Sequence, residues 1–336
     1  MKKILLLFIA LTFVIAFASC VDGEGQIQCE HSYVEIERIE PRPMVDGEAR
    51  YECLYCEEIK IEIIPKTKSL KMLAIGNSFS IDAVTYLYDI CKSEAMTEIV
   101  IGNVYISGSS LDMHKDNISS DNAAYAYKKY STVKGSYEQG VTLEHALLDE
   151  DWDFITLQQA SQLSGQSESF SNLETIIGYV NQKCPEAEIY WHMTWAYQQD
   201  STHAGFGNYG NDQMTMYNVI LDTVQSTVLT NPAFKGVIPS GTAMQNLRAS
   251  YWGDNATRDG YHASYGIGRF TIGLTWYAFF TGGSLDDVYW VPTGDYNSEI
   301  IWNWDLMVES ASNAIENPYQ ITESQYTEFP VGYPEK

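Results

Sequence analysis

The chain has 336 residues, enough for one large domain plus a small one and for a substantial buried core. Hydrophobic residues make up 45% and charged residues 19%, which places it among globular rather than disordered chains. The formal net charge of −24 argues against nucleic acid as a partner, since neutralising phosphate needs Lys and Arg, and it disfavours a strongly anionic polymer as substrate.

The amino terminus speaks to the compartment. Met1-Lys2-Lys3 is a short basic region, and Ile4 to Phe17 is almost wholly apolar yet too short for a comfortable membrane span. Ala18-Ser19-Cys20 follows. Small residues before a cysteine at the end of an apolar run resemble the lipobox of bacterial lipoproteins. That resemblance implies cleavage before Cys20 and lipidation of Cys20, so that residues 1–19 are a signal peptide and the protein is exported, held at the cell envelope by its lipid anchor only. A simple secretory signal is the alternative, with export in either case. The polar residues 20–28 read as a tether.

Three cysteines and a histidine come next, as Cys29-x-His31 and Cys53-x-x-Cys56. Tyr33 to Glu40 and Ile59 to Ile64 alternate as strands, with Gly47 expected at the turn between them. Two close pairs of soft ligands on a short β scaffold suit tetrahedral zinc. With Gly47-Glu48 and Tyr51, the pattern over residues 29–65 resembles a zinc-ribbon module of secreted bacterial proteins. In an exported protein a disulfide from Cys29 to Cys53 or Cys56 competes with that reading. The odd cysteine count and the histidine favour a metal, and a closed four-ligand site makes its role structural. Cys91 and Cys184 sit in apolar helical patterns and read as small core residues.

From Leu70 onward strands and helices alternate. The strands are expected at Met72–Asn77, Glu98–Tyr105, Asp153–Leu157, Glu188–Trp195 and Lys235–Pro239. The helices are expected at Asp82–Ala95, Val141–Asp149, a segment begun by a Ser171/Glu174 capping box and ended by Pro185, then Gln213–Leu229, Ala263–Phe280 and Asn297–Asn317. The polar stretch Leu111 to Glu138 reads as an excursion over the sheet edge. Continuous apolar strands between helices mean a parallel sheet covered on both faces, with ligands outside the carboxyl ends of its strands. Ser78, Gly108, Gln158, Gln159 and the residues after Trp195 lie at such ends.

Ser78 follows its strand within Gly76-Asn77-Ser78-Phe79-Ser80. A serine hydroxyl needs a base to become a nucleophile. Of the six histidines, His31 is a metal candidate, His145 sits in a short amphipathic helix, and His203 lies in a Gly/Asn-rich loop expected to be solvated. His262 stands apart, because Asp259 three residues earlier can fold back through Gly260 and fix the imidazole's tautomer. On these residues the chain resembles the SGNH (GDSL-like) hydrolase superfamily. Gly76-Asn77-Ser78-Phe79-Ser80 matches its nucleophile block, Gly108 its second block, and Asp259-Gly260-Tyr261-His262 its D-x-x-H block, with a span of about residues 70–280.

The third block departs from the superfamily pattern. Its G-x-N-D normally supplies an Asn donor, and here the strand runs Ile155-Thr156-Leu157-Gln158-Gln159-Ala160-Ser161. Leu157-Gln158-Gln159-Ala160-Ser161 and Trp191-His192-Met193-Thr194-Trp195-Ala196-Tyr197 resemble a poorly characterised branch that pairs these motifs with Gly-Asn-Ser-Phe-Ser.

The resemblance implies an α/β fold, a flavodoxin-like three-layer α/β/α with a parallel sheet, over residues 70–318, with residues 319–336 as a tail. It implies a serine esterase in which Ser78 attacks, His262 is the base and Asp259 orients it. Ser78 and Gly108 N–H groups, with a Gln159 or Gln158 amide, would stabilise the oxyanion, and no cofactor is needed for the chemistry. The expected substrate is a small ester, a short acyl group such as acetyl on a carbohydrate. His114, Trp195, Tyr197 and Arg258 are the candidate substrate contacts, and His192 reads as a satisfied core or rim histidine. An inactive glycan-binding lipoprotein and an acyltransferase with the same triad are the alternatives.

Overall fold

The computed structural model describes residues 29–334. The expected signal peptide, the expected lipidation site Cys20 and the expected tether lie outside the described residues. Among the described residues no helix is long and apolar enough to cross a membrane. The chain divides into two units: Pro41–Val45 with the chain from Pro65 onward, and Asp46–Ile64 with the chain up to Glu40.

The smaller unit is a three-stranded antiparallel sheet, β1 (Tyr33–Ile39), β2 (Gly47–Cys53) and β3 (Ile59–Ile64), in the order β1-β2-β3. Gly47 opens β2 rather than forming the turn. Strand β2 itself escaped the sequence reading because Gly47-Glu48-Ala49-Arg50 carries charge on alternate positions and no β-branched residue.

The larger unit is α/β. Its strands are β4 (Ser69–Gly76), β5 (Glu98–Tyr105), β6 (Tyr125–Ser131), β7 (Ser136–Val141), β8 (Phe154–Leu157), β9 (Glu188–His192) and β10 (Phe234–Ile238). They lie in the order β10-β9-β8-β4-β5-β6-β7. The five strands β10, β9, β8, β4 and β5 are parallel. Strands β6 and β7 extend the sheet antiparallel to β5. The sheet is therefore parallel-rich rather than wholly parallel, and the expected excursion at Leu111–Glu138 is a helix, Leu111–Ser120, followed by this antiparallel extension. Its Tyr, Lys and Ser residues fit an edge with one face in water.

Ten α-helices are described: α1 (Ser78–Val84), α2 (Leu87–Ser93), α3 (Leu111–Ser120), α4 (Leu143–Leu147), α5 (Leu173–Lys183), α6 (Gln213–Thr223), α7 (Ser240–Arg248), α8 (Ile267–Thr281), α9 (Asn297–Trp302) and α10 (Trp304–Glu316). One group packs around α8, which touches α1, α2, α7 and α10, while α5 packs with α3 and α4. Strand β4 is buried at every position from Met72 to Gly76, as a strand covered on both faces must be. The expected helix Asp82–Ala95 is two helices, and it starts earlier because Asn77 Oδ1 accepts from Phe79 N and caps it at Ser78. Helix α8 starts later than Ala263 because Thr257 and Ala263 pair across a small hairpin. The N-cap of α5 is Asn172, without a side-chain capping bond, so the Ser171/Glu174 box does not form.

Strand β4 is the first of the large unit, and its successors β5 and β8 lie on opposite sides of it. Chain direction across the sheet reverses at β4, so its carboxyl end is the switch point where α/β folds open a crevice. Ser78 lies two residues past that end.

Candidate active site

Gly76 and Asn77 make the turn that delivers Ser78. Asn77 is 2% exposed and fully used: Oδ1 accepts from Phe79 N at 3.0 Å and from Gln158 Nε2 at 2.8 Å, and Nδ2 donates to the Ser109 carbonyl at 3.0 Å. The Ser109 hydroxyl donates to the Gly76 carbonyl at 2.9 Å, and Ile106 N to the same carbonyl at 3.2 Å. The loop after β5 is thus stapled to the turn after β4. Gly108 sits in that loop at φ +66°, a left-handed conformation that glycine adopts at least cost.

The second half of the site comes from the hairpin before α8. Arg258 N donates to the His262 carbonyl at 3.0 Å. Gly260 takes φ +87°, and its carbonyl accepts from Gln198 N at 2.8 Å. Within this turn Asp259 Oδ2 lies 2.7 Å from His262 Nδ1, and Oδ1 accepts from His262 N at 2.9 Å. His262 Nε2 lies 2.8 Å from Ser78 Oγ. Burial works to raise the Asp259 carboxyl, but its hydrogen bonds from the His262 ring and backbone outweigh this and hold it below the ordinary value. The carboxylate therefore stays charged beside Nδ1, keeping that proton in place and leaving Nε2 to accept from Ser78. Such a line of groups can take a hydroxyl proton and return it.

Ser78 and His262 open into a cleft of about 370 Å³, also lined by Phe79, Ser107, Gly108, Ser161, Gln162, His203 and Tyr261. Among the described hydrogen bonds, the backbone N–H groups of Ser78 and Gly108 serve no acceptor, which leaves both available to an oxyanion. A larger cleft of about 430 Å³ near Trp152 and Pro185 holds no such pair of nucleophile and base.

Six of the expected site residues lie elsewhere than expected. Gln159 spends its amide Nε2 on the Ser169 carbonyl and hydroxyl, both at 2.9 Å, and its Oε1 on Leu111 N and Ala160 N. Gln158 bridges Asn77 to His192 Nδ1, the latter at 2.9 Å. Both amides are buried and consumed by the scaffold, so neither reaches the cleft. His114 is no rim residue: it is 2% exposed, with Nε2 3.1 Å from the Ser109 hydroxyl and Nδ1 3.0 Å from the Tyr125 hydroxyl. Trp195 is wholly buried under the site, stacked on Phe79 at 4.4 Å, with Nε1 donating to the Tyr261 carbonyl at 2.7 Å. Tyr197 is wholly buried against Ser161, Phe206 and Tyr261. Arg258 turns inward and pairs with Asp82. In each case hydrogen bonds or packing within the scaffold hold the side chain that sequence order alone placed near the substrate.

Three cleft residues escaped the sequence reading. Ser161 and Gln162 follow the Gln pair, and His203 lines the cleft rather than facing bulk solvent. Its ring packs 4.7 Å from that of Tyr261, with Nδ1 accepting from Gly205 N. Burial, reinforced by the nearby His262, lowers its pKa.

In the small unit the four ligand atoms of Cys29, His31, Cys53 and Cys56 lie within 4.8 Å of one another, and the cysteines are unbridged. The Cys29 and Cys53 sulfurs are 3.7 Å apart, and Cys56 Sγ is 3.3 Å from His31 Nδ1. Edges of about 3.8 Å belong to a tetrahedron with zinc–sulfur bonds of about 2.3 Å. The other His31 nitrogen lies 3.2 Å from Glu58 Oε2, the partner a metal-bound imidazole needs to fix its tautomer. The cluster fits a structural metal with no open position.

The profile of a family described as a domain of unknown function (DUF4886) matches residues 71–294. A crystal structure of a DUF4886 family protein from Bacteroides uniformis shares 39% identity, covers 76% of this chain and 98% of its own, and superposes with a TM-score of 0.71. A candidate SGNH hydrolase from Slackia heliotrinireducens shares 16% identity over 64% of this chain and 100% of its own, with a TM-score of 0.42. A catalytic mutant of an acetylxylan esterase from Geobacillus stearothermophilus shares 12% over 68% and 100%, with a TM-score of 0.41. No curated protein gives a significant match.

Proposed function

The chain belongs to the DUF4886 family, and we propose that it is a serine esterase of the SGNH type that cleaves short acyl esters. The observation that carries this reading is the unbroken line Asp259 Oδ2, His262 Nδ1, His262 Nε2, Ser78 Oγ, with spacings of 2.7 and 2.8 Å, at the switch point of the sheet.

Ser78 Oγ attacks the ester carbonyl carbon while its proton passes to His262 Nε2. The carbonyl oxygen becomes an oxyanion held by the Ser78 and Gly108 N–H groups. Collapse breaks the bond to the alcohol oxygen, which leaves with the proton from His262. An acyl group now sits on Ser78. Water gives a proton to His262 and attacks the acyl carbon, and the second collapse returns that proton to Ser78 and frees the acid. Asp259 holds the imidazole and balances its charge while it is protonated.

A cleft of about 370 Å³ favours a small acyl group such as acetyl. The aromatic and polar rim of Tyr261, His203 and Gln162 suits a carbohydrate alcohol. Export and lipidation at Cys20 are part of this proposal and rest on the amino-terminal sequence. A structural zinc at Cys29, His31, Cys53 and Cys56 is likewise proposed, outside the chemistry.

The test is hydrolysis of short-chain aryl esters and acetylated oligosaccharides by the wild type and Ser78→Ala. Loss of about 10⁴-fold or more in kcat on substitution is expected. Activity that survives in Ser78→Ala removes the mechanism, and no activity in either protein leaves a binding domain.

A further inference from the structure

With Gln158 and Gln159 turned into the scaffold, the oxyanion of the proposed esterase has only two backbone donors. We propose that the Ser161 hydroxyl is the third donor, and that Tyr197 sets its direction. This rests on the esterase reading above.

Ser161 stands four residues past the end of β8, the strand beside β4, and shares the cleft wall with Ser78 and Gly108. It is 6% exposed. Its Oγ lies 2.8 Å from the Tyr197 hydroxyl, its one hydrogen-bonding partner among the described side chains. Among the described side chains, the Tyr197 hydroxyl likewise bonds to Ser161 alone.

Only one proton can occupy that bond, and burial decides which. Tyr197 is wholly buried, packed by the rings of His203, Phe206 and Tyr261. If Ser161 donated, the phenolic proton would be left without an acceptor among the described residues, and a buried donor without a partner is destabilising. If Tyr197 donates, Ser161 keeps its proton for the cleft. The phenol is also the more acidic hydroxyl, so it is the better donor of the two. Accepting from Tyr197 polarises the Ser161 O–H and fixes its rotor, and a fixed donor in place before the reaction is what oxyanion stabilisation requires.

Gln162 is the competing donor in the cleft. Its side-chain amide makes no hydrogen bond among the described residues, and it is half-exposed. Ordering such a side chain costs rotamer entropy, which suits a rim contact and not a preorganised donor.

The experiment compares kcat and KM on a short aryl ester for the wild type, Ser161→Ala, Ser161→Cys, Tyr197→Phe and Gln162→Ala. It also compares the rate at which an aryl phosphonate, whose P–O⁻ occupies the oxyanion position, modifies Ser78. Ser161→Ala is expected to lower kcat about a hundredfold, with KM within about threefold and phosphonylation slowed in parallel. Ser161→Cys, isosteric with a weak donor, is expected to fall nearly as far. Tyr197→Phe is expected to lose about tenfold in kcat, and Gln162→Ala to move KM alone. Wild-type kcat in Ser161→Ala overturns the proposal, as does a hundredfold loss confined to Gln162→Ala. Should Ser161→Ala fail to fold, unchanged kcat and phosphonylation in Tyr197→Phe and Ser161→Cys overturn it. Activity abolished by Ser78→Ala upholds the esterase reading whatever Ser161 does, and activity independent of Ser78 brings down both.

Discussion

Asp82 on α1 accepts two hydrogen bonds at 3.0 Å from Nη1 of Arg258, the residue just before the Asp259–His262 turn. Asp82 is wholly buried, and it also takes Arg269 Nε at 2.8 Å and Ala263 N at 3.0 Å. Arg258 further donates to the Ala263 carbonyl. Helix α1 begins at Ser78, so this cluster ties the element carrying the nucleophile to the hairpin carrying the base, across 176 residues of sequence. The spacing of 2.8 Å between Ser78 and His262 is a consequence of that tie.

Replacing Asp82 with Asn leaves two guanidinium groups facing a neutral amide in a buried site. Breaking one side of a buried ion pair costs about 3–5 kcal/mol. Asp82→Asn is therefore expected to lower the unfolding free energy in urea by that amount and to reduce kcat. A loss under about 1 kcal/mol with full kcat contradicts the role given to the cluster.

Two buried histidines make the fold sensitive to acid. Burial alone drives His114 down to about 4 and His192 to about 3. Both are neutral in the folded protein near neutral pH, yet each takes up a proton near pH 6.5 when the chain unfolds. The unfolded state therefore binds more protons between pH 6.5 and 4, and stability is present above that window and lost as pH falls through it. Each histidine is expected to remove about 2 kcal/mol between pH 7 and pH 5. Urea unfolding at the two pH values checks this, and His114→Gln should flatten the loss by about half. Equal stability at pH 7 and 5 would show that neither ring is buried neutral.

The site was legible where backbone turns declare it and illegible where long-range packing decides which side chain faces the cleft. Gly76-Asn77-Ser78 is a turn between a strand and a helix, and Asp259-Gly260-Tyr261-His262 is the tight turn of the hairpin before α8, so their residues have one place to go. Gln158, Gln159, Trp195 and Tyr197 lie past the ends of β8 and β9, where successive residues are all buried, so order along the chain does not say which side chain reaches the cleft. A Gln pair in place of an Asn looked like a substituted donor, whereas the longer side chains cross-link the strand ends to Asn77, His192 and Ser169. Asp82 carries no sequence signal, since a single acid on an apolar helix face reads as a solvated one until its two arginines, far along the chain, are brought to it.

Gly76 tests whether the Gln158 cross-link holds the nucleophile turn. A Cβ there would meet Gln158 Cδ at 2.8 Å, its Oε1 at 2.9 Å and Ser80 Oγ at 2.9 Å. All three atoms belong to buried, hydrogen-bonded side chains, so Gly76→Ala must push Gln158 off Asn77. Overpacking of this kind costs about 1–3 kcal/mol. The variant is expected to fold with that loss and to lower kcat, because Asn77 then positions Ser78 less firmly. Wild-type kcat with a fully destabilised fold would mean that the turn does not depend on Gln158.

The metal cluster gives the last test, because its consequences separate from catalysis. Every residue of the proposed chemistry belongs to the larger unit, while Cys29, His31, Cys53 and Cys56 belong to the smaller one. Within the cluster, burial and the neighbouring thiols push Cys29 up to about 12, whereas for Cys53 the raising effect of burial is outweighed by backbone N–H groups and His31. A cation bound by these groups displaces the protons of its thiols, so its affinity should fall with pH. One zinc per chain is expected by elemental analysis, and a strong chelator should release it, destabilise the small unit and leave kcat on a soluble aryl ester unchanged. Cys56→Ser is expected to lose the metal with the same result, since three ligands hold zinc far less firmly than a closed tetrahedron. Zinc absent from the purified protein with an oxidised cysteine pair, or kcat that falls in step with zinc removal, would reassign the cluster.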